Sequence, residues 1–116
     1  MAIIVKVSRP EDLLQDIKQN IDDNYISNWQ YDLDGDFTST HNDLQNLAWF
    51  NAYIIKPDKL IFGIKGRKNV KMHIALYSIY HSEFIRMMLT FFSSQIDEIK
   101  VLPPFNNSYD TKNIEG

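Results

Sequence analysis

Asp32, Asp34 and Asp36 stand at every second position around Gly35, within the stretch Trp29-Gln-Tyr-Asp-Leu-Asp-Gly-Asp-Phe-Thr-Ser-Thr-His-Asn-Asp43. Carboxylates spaced this closely can do three things. They can ligate a hard cation, offer an acidic face to a basic partner, or bond their own backbone in a sharp turn. Counted from Asp32, the residues Asp32, Asp34, Asp36, Thr38, Thr40 and Asp43 fall at positions 1, 3, 5, 7, 9 and 12 of a calcium loop. The match breaks at the hinge. Phe37 occupies position 6, where the loop needs glycine, and Gly35 comes two residues early. The last position holds Asp in place of the longer bidentate Glu, and a strand leads in where a helix should. The spacing therefore predicts a turn first, in which Gly35 supplies a positive φ and the aspartates bond local backbone. Asp32, Asp34 and Asp36 are the candidate ligands should a cation bind, but no metal and no cofactor are expected.

The other residues with chemical potential are His41, His73 and His81. His41 lies in the same polar stretch. His73 and His81 are eight residues apart on one expected helix, about 12 Å along its axis, too far to share a metal. His81-Ser82-Glu83 holds a base, a hydroxyl and a carboxylate in a row. Adjacent helical residues do not face one another, so this run is not a triad. A polar-tipped ring on an apolar stripe reads as a hydrogen-bonded core histidine. Acid–base catalysis by His41 or His81 with an aspartate of the loop is the enzymatic alternative. No G-x-x-x-x-G-K-[ST], G-x-G-x-x-G or H-E-x-x-H pattern occurs. The one basic turn, Gly63-Ile-Lys-Gly-Arg-Lys68, is a weak signal in an acidic chain, so nucleic acid is not an expected partner.

The elements that must position these residues follow from periodicity. Ile3 to Val7 is a β-branched strand. Ser8-Arg-Pro-Glu11 reads as a capping box that starts a helix, with Leu13, Leu14, Ile17 and Ile21 as its buried stripe, ending at Asp22 or Asp23. Ile26 to Leu33 alternates, with Trp29, Tyr31 and Leu33 on one packed face. Asp34 to Asn46 reads as loop throughout. Ala48 to Ile55 and Leu60 to Ile64 form a hairpin that sets Phe50, Ala52 and Ile54 beside Leu60, Phe62 and Ile64. Trp49, Tyr53 and Ile55 occupy the other face, which another element or a second subunit could cover. Val70 to Ser93 has no Gly or Pro, and Tyr77, Tyr80, His81, Phe84, Ile85, Met88, Leu89 and Phe92 recur at helical spacing. Ile99 to Leu102 is a last strand before Pro103-Pro104. The fold class is therefore α+β, two layers with a mostly antiparallel sheet and two helices, in the order β-α-β-β-β-α-β. Residues 1–105 read as one domain and 106–116 as a loose polar tail.

Composition bounds the function classes. The chain has 116 residues, 44% hydrophobic and 13% aromatic, enough for a core. It has no cysteine, which excludes disulfides, zinc–thiolate sites and cysteine nucleophiles. The absence of disulfide staples favours the cytoplasm. No apolar run reaches a membrane span, and the N-terminus does not read as a signal peptide. The net charge of −3 hides an uneven distribution. Residues 11–43 carry nine acids and one base, whereas residues 56–71 carry six bases and one acid. Such polarity can steer a charged partner. The simpler expectation is that the two segments lie near each other, or are merely solvated.

In Trp29-x-x-Asp-x-Asp-Gly-Asp-Phe-Thr38 and Ile79-Tyr-His-x-x-Phe-Ile85 the chain resembles small bacterial single-domain proteins that carry both motifs. The resemblance covers Trp29 to Phe92. It implies a bacterial origin and an uncharacterised family, and it transfers no catalytic residue.

These readings converge on a non-enzymatic protein-binding module, an immunity or antitoxin-like inhibitor. Asp32, Asp34 and Asp36 would enter a basic groove on a partner such as a nuclease. Trp29 and Phe37 would be apolar anchors. The alternative is a small metal-assisted or acid–base hydrolase using the same loop with a histidine. A homodimer through the Trp49/Tyr53 sheet face or the surplus apolar surface of the long helix is compatible with either.

Overall fold

A computed structural model of the chain describes residues 2–102 and the strand at Ile114–Glu115. Its elements run β1 (Ile3–Val7), α1 (Pro10–Asp22), β2 (Trp29–Tyr31), β3 (Phe37–Ser39), β4 (Ala48–Ile55), β5 (Lys59–Gly66), β6 (Met72–His73), α2 (Ile74–Phe92), β7 (Ile96–Val101) and β8 (Ile114–Glu115). The six longer-range strands form one antiparallel sheet in the order β2-β3-β4-β5-β1-β7. The expected α+β succession is present, extended by the short strands β3, β6 and β8.

The β4–β5 hairpin pairs as its parity requires, with Phe50 opposite Ile64, Ala52 opposite Phe62 and Ile54 opposite Leu60. Its inner face meets both helices. Leu13 and Ile17 of α1 share one buried cluster with Val5, Phe50 and Phe62 of the sheet and with Tyr77, Phe84 and Met88 of α2. Both helices therefore lie on the same face, which makes two layers; among the described residues the opposite face carries no helix. That outer face carries Trp49, half-buried, and Tyr53, 37% exposed. Ile61 is buried there because Ile4 and Tyr53 flank it across the sheet.

Several expectations needed correction. The capping box at Ser8 does not form. Arg9 is the N-cap of α1 and makes no side-chain capping bond, while Pro10 takes the first helical position, where its missing N–H costs nothing. The helix ends at Asp22, as expected, with Asp23 as its C-cap, and Asn24 after it has a φ of 64°, in the left-handed region that asparagine tolerates. The second strand is confined to Trp29–Tyr31. Leu33, expected on the packed face, is fully exposed, because the chain has already turned. The stretch Asp34–Asn46 is not all loop: Phe37–Ser39 pairs with both β2 and β4. Polar composition hid this short strand, but Phe37, Thr38 and Ser39 are all buried.

The long helix starts at Ile74, not Val70, because His73 caps it. The His73 Nδ1 accepts from the Ala75 N–H at 3.0 Å. Met72–His73 is instead a strand, paired in parallel with Ile114–Glu115. Those two residues belong to the expected polar tail, so at least there the chain is engaged. Pro103, Pro104 and the rest of the tail lie outside the described residues.

Candidate functional site

The acidic turn is built by the β2–β3 hairpin. Trp29 pairs with Ser39, Gln30 with Thr38 and Tyr31 with Phe37. The next pair closes it, with the Asp32 N–H donating to the Asp36 carbonyl at 3.0 Å and the Gly35 N–H to the Asp32 carbonyl at 3.0 Å. Asp32 Oδ1 then accepts two further backbone N–H groups, from Asp34 and from Asp36, each at 3.0 Å. This is an Asx-type turn stabilised by its own first residue. Gly35 sits at φ 82°, and a Cβ there would come within 3.2 Å of Lys18 Nζ. The positive φ favours glycine, while the crowding comes only from the flexible end of a lysine.

The three aspartates have different surroundings. Asp36 is only 8% exposed. Its carboxylate meets Lys65 Nζ at 2.7 Å and accepts from the Asn51 amide at 2.7 and 3.0 Å when that amide is turned with its nitrogen inward. Asp32 is exposed, but one of its oxygens serves the turn. Asp34 is exposed at the tip. The hydrogen bond to Asp36 raises the Lys65 pKa above its ordinary value; the charges of Asp36, Asp32 and Asp34 add to this while partial burial opposes it.

The turn is tied to the C-terminal half of α1. The Tyr31 hydroxyl donates to the Asp22 carboxylate at 2.7 and 2.9 Å. That bond, with smaller contributions from desolvation and the Asp22 charge, raises the tyrosine pKa. Lys18 Nζ lies 5.5 Å from the centre of the Tyr31 ring, a cation–π distance. Asp22, Asp23, Asp32 and Asp34 are all exposed around this junction. Folding thus joins two acidic stretches of sequence into one surface. The acidic and basic segments also meet directly, through Asp36–Lys65 and through Glu11–Lys56 at 3.8 Å.

Of the residues expected to bind a partner, Trp29 and Phe37 are misplaced for that task. Trp29 is 2% exposed and Phe37 fully buried. Trp29 packs edge-on against Phe84 at 4.8 Å and Tyr80 at 5.6 Å, and Phe37 lies 5.7 Å from Phe84. They are core residues because their alternation points to the helix-covered face. The apolar side chain actually presented at the turn is Leu33, 107% exposed between Asp32 and Asp34. Sequence reasoning missed it by extending the strand two residues too far; the Asp-Gly at the turn was the available signal.

The oxygens of Asp32, Asp34 and Asp36 approach within 4.8 Å of one another. These are the residues that could ligate a hard cation. The structure also accounts for their proximity without one, since the turn, Lys65 and Asn51 already bind oxygens of Asp32 and Asp36.

The histidines stand apart from this turn. His41 follows β3, at the far end of the strand from Asp36, five extended residues or roughly 15 Å away. Its Nδ1 accepts from the Asp43 N–H at 3.3 Å, and it lines a hollow of about 190 Å³ with Asn28, Trp29, Ser39, Leu44, Ile79 and Glu83. His81 is 2% exposed. Its Nδ1–H donates to the Tyr77 carbonyl at 2.7 Å, and its ring stacks on Tyr77 at 4.2 Å. That is the arrangement of a core histidine. Ser82 points outward and donates to the Ile79 carbonyl at 3.1 Å, so His81, Ser82 and Glu83 form no triad. No helix among the described residues is long and apolar enough to cross a membrane. Comparison with models of protein families, with curated proteins and with solved structures gives no match.

Proposed function

We propose that the chain is a non-enzymatic protein-binding module, an immunity or antitoxin-like inhibitor acting in the cytoplasm, which docks a basic partner through the acidic turn. The observation that carries this reading is the tip of the β2–β3 turn. A fully exposed Leu33 stands between two exposed carboxylates, Asp32 and Asp34, on a backbone locked by three hydrogen bonds to Asp32. A leucine held in water gains when a partner covers it, by about 2 kcal/mol if fully buried. A rigid presenting loop loses little entropy on docking. The flanking acids, with Asp22 and Asp23 beside them, supply the steering field for a positively charged groove. Leu33 takes the anchoring part first expected of Trp29 and Phe37, and Asp36 supports the turn from within.

The test is capture from a host-cell lysate by immobilised protein, comparing wild type with Leu33→Ser and with the double substitution Asp32→Lys, Asp34→Lys. Loss of a captured basic protein in both variants supports the reading; unchanged capture in both sinks it. A second reading, a metal-assisted hydrolase, draws on the mutual approach of the three carboxylates. It requires that calcium, magnesium or manganese stabilise the fold and that Asp34→Ala remove the effect.

A further inference from the structure

The solvent face of α2 is unlike that of an ordinary surface helix. Residues 74–92 contain only two charged side chains, Glu83 and Arg86. Ile79 is 43% and Leu89 51% exposed. The exposed hydroxyls of this face bond back to the helix's own backbone. Ser78 donates to the Ile74 carbonyl at 2.9 Å, Ser82 to the Ile79 carbonyl at 3.1 Å and Thr90 to the Arg86 carbonyl at 2.7 Å. Their hydrogen bonds are made within the helix, so this face can lose water at little cost. A helix exposed to solvent in a monomer normally turns a charged face outward. The outer face of the sheet does so, with Lys6, Lys59 and Lys100 on its surface.

The exposed residues also have a register. Ala75, Ile79, Ser82, Arg86 and Leu89 follow one another at alternating steps of four and three, the seam of a packed helix pair. Ser82, Ile85, Arg86, Leu89 and Thr90 border a shallow, open depression, the first four at the i, i+3, i+4, i+7 outline that receives a neighbouring helix.

We infer that this face pairs with a second copy of the chain, α2 against α2 in antiparallel, about a two-fold axis level with residue 84. The choice of occupant rests on self-complementarity. Ile79 and Leu89 are each five residues from that level, so the two-fold lays Ile79 of one copy against Leu89 of the other, twice. The same operation brings Glu83 of one copy level with Arg86 of the other, offset along the axis by about 1.5 Å. Two ion pairs then lie close to the two-fold, one on either side of it. Among the described residues neither Glu83 nor Arg86 has an ion-pair partner within its own chain. A lipid surface is disfavoured, since interfacial helices carry a basic polar face and α2 has one arginine. One helix pair is a small interface, so the dimer is expected to be weak, with a dissociation constant on the order of tens of micromolar.

Sedimentation equilibrium of the full chain, from about 5 to 500 µM, tests this. The weight-average mass is expected to rise from that of the monomer towards twice that value. Leu89→Glu should hold the protein at monomer mass throughout. Glu83→Arg and Arg86→Glu should each weaken the dimer about tenfold, and the two together should restore it, because the exchange returns both ion pairs. These side chains lie on the surface, and circular dichroism establishes that each variant is folded. Monomer mass for wild type at every concentration overturns the proposal. So does a dimer indifferent to Leu89→Glu, or a charge-exchanged variant no tighter than the single ones.

Discussion

The turn at Asp32–Asp36 and the aromatic cluster that begins at Phe37 adjoin in sequence and are held in opposite ways. In the turn, one carboxylate organises its neighbours: Asp32 binds the backbone of Asp34 and Asp36, and Gly35 supplies the conformation. In the cluster, nothing is local. Phe84 from α2 lies within 4.7 to 5.7 Å of Trp29, Phe37, Phe50 and Phe62, which come from four different strands. Asp36 and Lys65 stand between the two regimes, a local turn residue fastened to a distant strand. The difference teaches where function can sit. A region held by its own backbone can expose Leu33 and Asp34 without loss of shape, whereas the cluster can give nothing to a partner without unfolding.

The contrast can be broken in graded steps. The largest effect belongs to the cluster: Phe84→Ala should cost about 3–5 kcal/mol, through lost burial and the cavity left among four rings. A fall in the denaturant midpoint measures it, and a loss below about 1 kcal/mol would contradict the central place given to this ring. Next comes the link. Asp36→Ala strands Lys65 and Asn51 and should cost about 2 kcal/mol, the lower part of the range for hydrogen bonds to a charged group, because the pair is not fully enclosed. Gly35→Ala forces a side chain into the left-handed region against Lys18 and should cost about 1 kcal/mol.

The alkaline limb of stability sharpens the comparison further. The folded state holds protons on Lys65 and Tyr31 more tightly than the unfolded chain does. Their contributions are therefore complete below the unfolded values of 10.5 and 10.0 and fade as the pH rises through the higher folded values. Urea midpoints measured from pH 9 upward should fall, and less steeply in Lys65→Met with Tyr31→Phe. An identical slope in the double variant would remove both groups from the account. The smallest effect is expected at the tip. Asp34→Ala should change stability by less than about 0.5 kcal/mol, and millimolar calcium, magnesium or manganese should leave the wild-type melting temperature where it was. A rise of several degrees in wild type alone would move the metal reading ahead of the docking one.

Much of the fold was legible in the residues themselves. The β4–β5 hairpin was readable because its parity sets two apolar rows on one face. The body of α2 was readable because the stripe from Tyr77 to Phe92 has one period. The Asx turn was readable because Asp and Gly carry their own local bonding. Three things were not. β3 is a strand only because β2 and β4 flank it, so its polar residues gave no signal. The start of α2 depends on a strand pairing between residues some forty apart in the chain. The exchange of anchors, Leu33 outward and Trp29 and Phe37 inward, turned on where β2 stops.

Local hydrogen bonding and periodicity are properties of a few neighbouring residues, and the sequence alone determined what rests on them: the α+β class, the hairpin, the turn and the core side of α2. Which face of the sheet the helices cover, which aspartate meets Lys65, and which apolar side chain reaches water depend on contacts between segments far apart in the chain. Those only the tertiary structure decided, because burial belongs to the packed arrangement and not to any residue in it.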